Sequence, residues 1–180
     1  MTYFGESYMK TTKTKSAPYP NKVIFNNGRS SPIPNQKKFK SSFIRSHGCS
    51  MAAFYIALRF SGKKEKMNPL LKWSRSNLKA YMKAKLTIKG VAKGLNKKAG
   101  RKVATYHRAA NLSKINKALD AGHLILLETG DPIHTNVLYR SKPKHTYHLD
   151  HGNVKKINTA KMVKRATKSA TYRGWVDVKG

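Results

Sequence analysis

The feature that most constrains this chain is a run of residues, 49–60, that is apolar on nearly every side. Its sequence, CSMAAFYIALRF, contains neither glycine nor proline, so nothing in it interrupts a helix. A helix that is apolar all round must be covered by other elements on all sides. Gly48 precedes the run and Gly62 follows it, which favours a helix confined to these residues. The sequence therefore predicts a core built around this helix, with Cys49 at its N-terminal end.

Further helices are predicted on both sides of the chain's midpoint. Thr87, Ser113 and Thr159 each precede a helical pattern and are predicted as N-caps, because their hydroxyl oxygens can accept the free amides of a first turn. The predicted helices cover residues 68–84 (as one or two short helices), 88–100, 114–120 and 161–168.

Strand patterns dominate the C-terminal half. Runs of strand length, rich in apolar residues and separated by turn residues such as Gly130 and Gly152, cover residues 103–106, 123–128, 134–140, 145–149 and 172–178. Helices first and antiparallel strands second are typical of the α+β class. We expect the 49–60 helix to pack on an antiparallel sheet built from residues after 102, with Trp73 and Trp175 in the core.

The first 41 residues differ in composition from the rest. They are rich in lysine, serine, asparagine and proline, and they include one short strand candidate, residues 22–25. We interpret residues 1–41 as a basic extended arm and residues 42–180 as a single domain. The sequence has no apolar run of about 18 residues and no standard signal peptide, so we expect a cytoplasmic or virion-associated protein without a transmembrane segment.

The charge balance is extreme. Lysine and arginine number 38 against 7 aspartates and glutamates, giving a formal net charge of +31. Such a chain attracts polyanions, and nucleic acid and anionic cell-wall polymer are both candidate partners. Lysines cluster at several separate places along the chain, which predicts broad coverage of the surface and non-specific attraction rather than reading of bases.

Cys49 is the one cysteine, so no intrachain disulfide can form. Two interpretations remain open from its position. A lone cysteine in an apolar segment is ordinarily a small buried residue without chemistry. At the start of a helix, however, the free amides and the helix dipole favour the thiolate, which is the nucleophilic form. Gly48 would leave room beside it for a substrate carbonyl.

A partner for Cys49 must come from the predicted sheet. His134 opens one strand and Asp150 ends the next, sixteen positions later. An antiparallel pair brings those two ends side by side. The carboxylate could then orient the imidazole and stabilise its charged form, which is what acyl transfer through a cysteine requires. Alternatives without any chemistry are that His134 only ends a strand and that Asp150 only begins a turn.

Three further histidines, His145, His148 and His151, are spaced by three residues. In a strand this spacing places successive side chains on opposite faces, so we expect no shared metal ion. No cofactor is expected either.

These segments together resemble the bacteriocin-processing (double-glycine-leader) peptidases, a papain-like family of cysteine peptidases. The similarity covers residues 45–178 and depends on the order and spacing of four features: Gly-Cys-x-x-Ala at 48–52, Ala-Gly and an apolar strand at 121–127, a histidine strand at 134–140, and the interval from His134 to Asp150. The resemblance implies a papain-like α+β fold, with Cys49 as nucleophile, His134 as base and Asp150 as the orienting residue. It implies a peptide substrate.

One position departs from the family. Six residues before the nucleophile the family usually has a glutamine that helps to bind the oxyanion, and this chain has Phe43 there. Gln36 is too far back by simple register. Losing one oxyanion donor costs about 2.7–4 kcal/mol of transition-state stabilisation, so the departure bears on activity rather than on the fold.

Two other functions stay open at this stage. A peptidoglycan hydrolase with a papain-like core would use a second histidine, His145 or His148, as the orienting group. A non-catalytic structural or packaging protein that binds nucleic acid, for example in a phage particle, would explain the charge without any chemistry at Cys49.

Overall fold

The computed structural model describes residues 19, 21–78, 81–82, 85–129, 134–142, 145–169, 172 and 174–180. The predicted turn at residues 130–132 and most of the first 20 residues lie outside these ranges.

The centre of the molecule is a helix, α2 (Cys49–Phe60), that follows a short helix, α1 (Ser42–His47). All of α2 is buried except Ala52 and Arg59, which are half-buried. The prediction of a buried central helix is therefore confirmed. Burial on every side follows from its sequence, because each face of the helix offers apolar side chains to a different neighbour.

Four more helices follow: α3 (Met67–Asn77) and α4 (Ile88–Ala99), which pack beside α2, and α5 (Leu112–Asp120) and α6 (Thr159–Thr167). Helix α4 begins and ends as predicted, since the Thr87 side chain accepts the Gly90 amide and Gly100 ends the helix in the left-handed conformation. Residues 81–82, predicted as helical, instead form a two-residue strand.

Two predicted caps were wrong. Helix α5 is capped by Asn111 rather than Ser113, and α6 by Asn158 rather than Thr159. In both cases the asparagine side chain accepts the amide three residues later, so the helix begins before the predicted hydroxyl residue.

Most strands belong to one antiparallel six-stranded sheet. The strands are β1 (Asn21–Ile24), β2 (Ser30–Ile33), β3 (Tyr81–Met82), β4 (Lys85–Leu86), β5 (Ala104–His107), β6 (Leu124–Thr129), β7 (His134–Lys142), β8 (His145–Asp150), β9 (Asn153–Ile157) and β10 (Trp175–Val178). The order across the sheet is β5-β10-β6-β7-β8-β9. Fold class α+β with an antiparallel sheet is thus confirmed, although β9 was not predicted.

Helices cover the sheet on both faces. Alternate residues of β6 and β7 point to opposite sides, so Leu126 and Val137 join the core around α2 and α4, while Leu127 and Leu138 join a second core under α5 and α6. Trp175 is buried in this second core, as predicted. Helix α2 therefore packs against one face of β7, the strand whose first residue is His134.

The N-terminal hairpin corrects part of the predicted arm. Strands β1 and β2 pair antiparallel, and Val23, Phe25 and Ile33 are buried in the core around α2. Residues 21–33 are therefore packed structure rather than an extended arm. The hairpin also contacts the turn after β8, because the Asn21 side chain donates to the Gly152 carbonyl.

Within the described ranges, no helix combines the length and the apolar character needed to cross a lipid bilayer.

Candidate active site

Cys49 is the first residue of α2 and is buried, with 6 % of its surface exposed. The preceding Gly48 passes directly over the end of α1. A Cβ atom built on Gly48 would collide with the Ile44 carbonyl oxygen and lie 2.9 Å from Ile44 Cγ2. Only glycine fits there without a shift, so the tight junction between α1 and α2 fixes where the sulfur lies.

A buried hydrogen bond joins the start of α2 to the start of β7. The hydroxyls of Ser50 and Thr135 are 3.0 Å apart, and both residues are buried. Each hydroxyl directly follows a predicted site residue, Cys49 or His134. The bond therefore holds the start of α2 against the start of β7, next to Cys49 and His134. No local pattern could indicate this pair, since the two residues are 85 positions apart.

His134 and Asp150 meet at the end of the β7–β8 pair. His134 Nε2 lies 3.0 Å from Asp150 Oδ2, and the two side chains are 29 % and 25 % exposed. With Nε2 facing the carboxylate, Nδ1 is the ring nitrogen left for Cys49, whose side chain lies close enough to raise the pKa of the imidazole. The structure thus brings together the three residues singled out from the sequence.

Electrostatics favour a charged imidazole in this arrangement. Burial acts to lower the pKa of His134, but the hydrogen bonds and charges of Asp150 and Cys49 outweigh it and raise the pKa to about 9. Burial acts to raise the pKa of Asp150, yet the hydrogen bond from His134 and the nearby imidazoles lower it. An imidazolium held between a carboxylate and a thiolate is the resting state that cysteine nucleophiles use.

Two more imidazoles surround the carboxylate. His151 Nε2 lies 3.6 Å from Asp150 Oδ1, and His148 Nε2 lies 4.0 Å from Asp150 Oδ2. Burial lowers the pKa of His148 to about 4, which keeps it neutral, and burial also lowers the pKa of His151. His145 lies at the opposite end of β8, paired with Lys142.

Phe43, which stands where the family has its glutamine, takes part in an exposed stack. Its ring lies 5.6 Å from the His47 ring, and the Arg75 guanidinium lies 4.1 Å from its centre. This cluster offers no amide donor toward Cys49.

Gln36, set aside by its register, comes closer in space than in sequence. Its side-chain amide lies 3.4 Å from the Arg45 carbonyl in the last turn of α1. Two residues earlier, the Pro34 carbonyl accepts the Gly152 amide at 3.1 Å. The segment 34–36 therefore bridges the helix that leads to Cys49 and the turn that follows Asp150.

A second histidine–aspartate pair lies elsewhere, between His123 Nδ1 and Asp177 Oδ1 at 2.7 Å. It has no thiol beside it, because Cys49 is the one cysteine of the chain. The His134–Asp150 pair therefore differs from the His123–Asp177 pair in having the Cys49 thiol beside it.

Comparison with protein-family models, with curated proteins and with solved structures finds no match to this chain.

Proposed function

We propose that this protein is a cysteine peptidase-like hydrolase with a papain-like fold, in which Cys49, His134 and Asp150 act together on an amide bond. The observation that carries the proposal is the position of His134. Its Nε2 bonds the Asp150 carboxylate, and Cys49, at a helix start, lies close enough to act on the same imidazole.

The reaction follows from that order of contacts. Cys49 sulfur, as the thiolate, attacks the amide carbonyl carbon and forms a tetrahedral intermediate. The His134 imidazolium gives its Nδ1 proton to the leaving amine, and the carbon–nitrogen bond breaks to leave a thioester. Water then gives a proton to His134 and attacks the thioester, which releases the acid and restores the Cys49 thiolate beside the His134 imidazolium. Asp150 holds one tautomer throughout and stabilises the charged ring.

The oxyanion needs donors near the start of α2. Amides of a first helical turn have no partner within the helix and can supply one donor at Cys49. We assign the second donor to Gln36, because its amide lies against the Arg45 carbonyl in the last turn of α1, three residues before the Gly48 junction. In this arrangement a glutamine from an earlier segment takes the role that Phe43 cannot.

Thiol chemistry and turnover test the proposal separately. Cys49 should react with iodoacetamide at neutral pH faster than a free thiol, whose pKa is about 8.5. A library of peptides should be hydrolysed by the wild type and not by Cys49→Ala, which leaves the fold intact. His145→Gln is the matched control, as it changes a histidine of the same strand away from the site. An ordinary thiol rate together with no hydrolysis by the wild type would overturn the proposal.

The alternative assignment is a peptidoglycan hydrolase with a papain-like core. That class would use a histidine to orient His134, but His148 lies 4.0 Å from the carboxylate and has no direct bond to the His134 ring, whereas Asp150 does. The geometry therefore supports an aspartate-oriented site.

A second function, binding of a polyanion such as nucleic acid, is favoured by a separate observation. The net charge is +31, and two ion pairs, Lys98–Glu65 and Arg140–Asp120, neutralise only a small part of it. A groove of about 850 Å³ combines basic and aromatic side chains, which is the composition that tracks a phosphate backbone and stacks on bases. We call it the basic groove; its basic residues are Lys22, Lys38, Lys40, Arg59 and Lys66, and its aromatic residues are Tyr19, Phe39 and Tyr55.

A further inference from the structure

Asp150 is surrounded by imidazoles in a way that a catalytic triad does not need. His134, Asp150 and His151 each offer one ligand atom, and these atoms lie within 4.8 Å of one another. The Asp150 oxygens lie 3.0 Å from His134 Nε2 and 3.6 Å from His151 Nε2. Small side-chain adjustments would bring all three atoms within about 2.0–2.2 Å of a common point, which is the range of zinc–ligand bonds.

The turn after β8 is what brings His151 into the group. His151 has φ 47° and Gly152 has φ 77°, so the two form a two-residue hairpin turn with both central residues left-handed. Among the described residues other than glycine, His151 is alone in having a positive φ. In a strand, side chains three residues apart point to opposite faces, but this alternation ends at the turn. The His151 ring therefore folds back over the Asp150 carboxylate.

Two nitrogens at the site lack a hydrogen-bond partner among the described residues. They are Nε2 of His148 and Nε2 of His151, and both atoms are buried. Buried side-chain nitrogens are nearly always satisfied in folded proteins, so an orphaned pair on either side of one carboxylate requires an explanation. A cation bound at Asp150 would give the His151 nitrogen its partner, whereas His148 Nε2, 4.0 Å from Asp150 Oδ2, lies outside the group of three ligand atoms.

We infer that His134, Asp150 and His151 form a binding site for a divalent transition-metal ion of the zinc class, and that the bound ion holds the thiol site inactive. Two imidazoles and one carboxylate suit such an ion, whereas magnesium and calcium prefer oxygen ligands. The charges of Lys37 and Lys155, which act on His151, oppose a cation, so binding depends on all three ligands.

Inactivation follows from which atoms the ion would occupy. A metal on His134 Nε2 displaces the hydrogen bond to Asp150 and keeps the proton on Nδ1, so the neutral ring cannot accept the thiol proton. The ion also takes the Asp150 carboxylate. This second part of the inference rests on the proposed function, whereas the binding itself does not.

Binding is tested by titrating zinc into chelator-treated full-length protein by calorimetry, with cobalt absorbance as a second readout. Wild type, Cys49→Ser and His145→Gln should each bind one ion. His151→Asn should bind about tenfold or more weakly, since it removes a ligand. Asparagine before glycine suits this turn, so the hairpin is kept. Loss of binding in Cys49→Ser, or equal binding in wild type and His151→Asn, overturns the ligand set.

Inactivation is tested by the rate of Cys49 alkylation with and without one equivalent of zinc. Zinc should slow alkylation of Cys49 at least about tenfold in wild type. At the same zinc concentration it should leave the rate in His151→Asn nearly unchanged. An equal slowing in both proteins overturns the coupling. Zinc binding that depends on His151 in a protein that hydrolyses no peptide would contradict the proposed function alone. Hydrolysis without such binding would contradict this inference alone.

Discussion

At the scale of single residues, His134 is the residue whose surroundings decide the chemistry. Its ring could be an ordinary strand-end histidine, as His123 is beside Asp177. What distinguishes His134 is that two side chains, Asp150 and Cys49, both act on its ring. Because the two partners differ in chemistry, the loss of either should have a separate and measurable effect.

Asp150→Asn should slow peptide turnover by about 10²–10⁴-fold, since the amide cannot stabilise the imidazolium. His148→Gln, the matched change of a neighbouring side chain, should have a far smaller effect. Steady-state kinetics with chelator present measure both. A larger loss in His148→Gln than in Asp150→Asn would favour the histidine-oriented wall hydrolase.

The pKa of His134 gives a pH prediction. Since this pKa is raised from the ordinary value of 6.5 to about 9, the ring should stay protonated through neutral pH and lose its proton near pH 9. In Asp150→Asn the hydrogen bond and charge of Asp150 are gone while burial and the contribution of Cys49 remain, so the midpoint should fall below 9. NMR titration of the His134 ring, with chelator present, reports both midpoints. An unchanged midpoint in the variant would mean that Asp150 does not set this pKa.

At the scale of secondary-structure elements, the site depends on three contacts that hold neighbouring elements together. Helix α1 meets α2 at Gly48, α2 is tied to β7 by Ser50 and Thr135, and the N-terminal hairpin holds the turn after β8 through Asn21. Each contact involves residues that take no part in the reaction. Changes at these contacts should therefore alter catalysis through position and stability.

Gly48→Ala should lower stability by about 1–3 kcal/mol and slow alkylation of Cys49. Its φ of −83° suits alanine, so the cost comes from the collision with the Ile44 carbonyl, which pushes α1 from α2. Gly100→Ala is the control, because its φ of 69° strains the backbone while its Cβ would meet nothing within 4 Å. Denaturant unfolding and alkylation rates separate the two, and slowed alkylation in both variants would refute a local effect.

Phe25→Ala should lower the free energy of unfolding by about 3–5 kcal/mol, although the residue lies in the segment that its composition marked as an arm. The ring is fully buried, 4.9 Å from Phe60 and 5.1 Å from Tyr139. Exposed Lys22→Ala in the same hairpin is the control and should change little. A chain that begins at residue 42 should fail to fold cooperatively. Cooperative unfolding of that shortened chain would show that the hairpin is dispensable.

At the scale of the whole molecule, the dominant property is a net charge of +31, to which Cys49 contributes nothing. With 38 basic and 7 acidic side chains, most cations have no carboxylate to pair with. The basic groove concentrates part of this charge beside aromatic rings. Attraction to a polyanion should therefore survive the loss of Cys49.

Affinity for random duplex DNA should be high at low salt and should fall steeply as salt rises, because each neutralised phosphate releases counterions. Changing Lys22, Lys38 and Lys40 to Glu should reduce the slope of log affinity against log salt by about one per lysine if the basic groove carries the contacts. The same triple change at exposed Lys114, Lys117 and Lys161, outside the groove, is the control. Equal effects would indicate diffuse attraction. A strong preference for anionic wall polymer over DNA would point instead to a wall-directed enzyme.

Local patterns account for what the sequence by itself determined about the fold. The central helix follows from its all-round apolar run, α4 from Thr87 and Gly100, and β6 from a strand-length apolar run. Each of these signals lies within one element, so the residues that decide the structure are neighbours in the chain. The packing of the hairpin at 21–33 was missed because its three buried apolar residues are too few to indicate a core. Strand β9 was missed because its sequence carries lysines at an exposed sheet edge.

The site divides in the same way. His134 and Asp150 could be paired from the sequence, since antiparallel neighbours bring a strand start beside a strand end, and Cys49 could be placed at a helix start. The approach of Gln36 to α1 and the return of His151 over Asp150 were decided only by the tertiary structure. The first needs a contact between separate segments, and the second depends on a left-handed turn that the spacing of histidines does not reveal. Contacts between distant segments depend on how whole elements pack, and no local pattern records that.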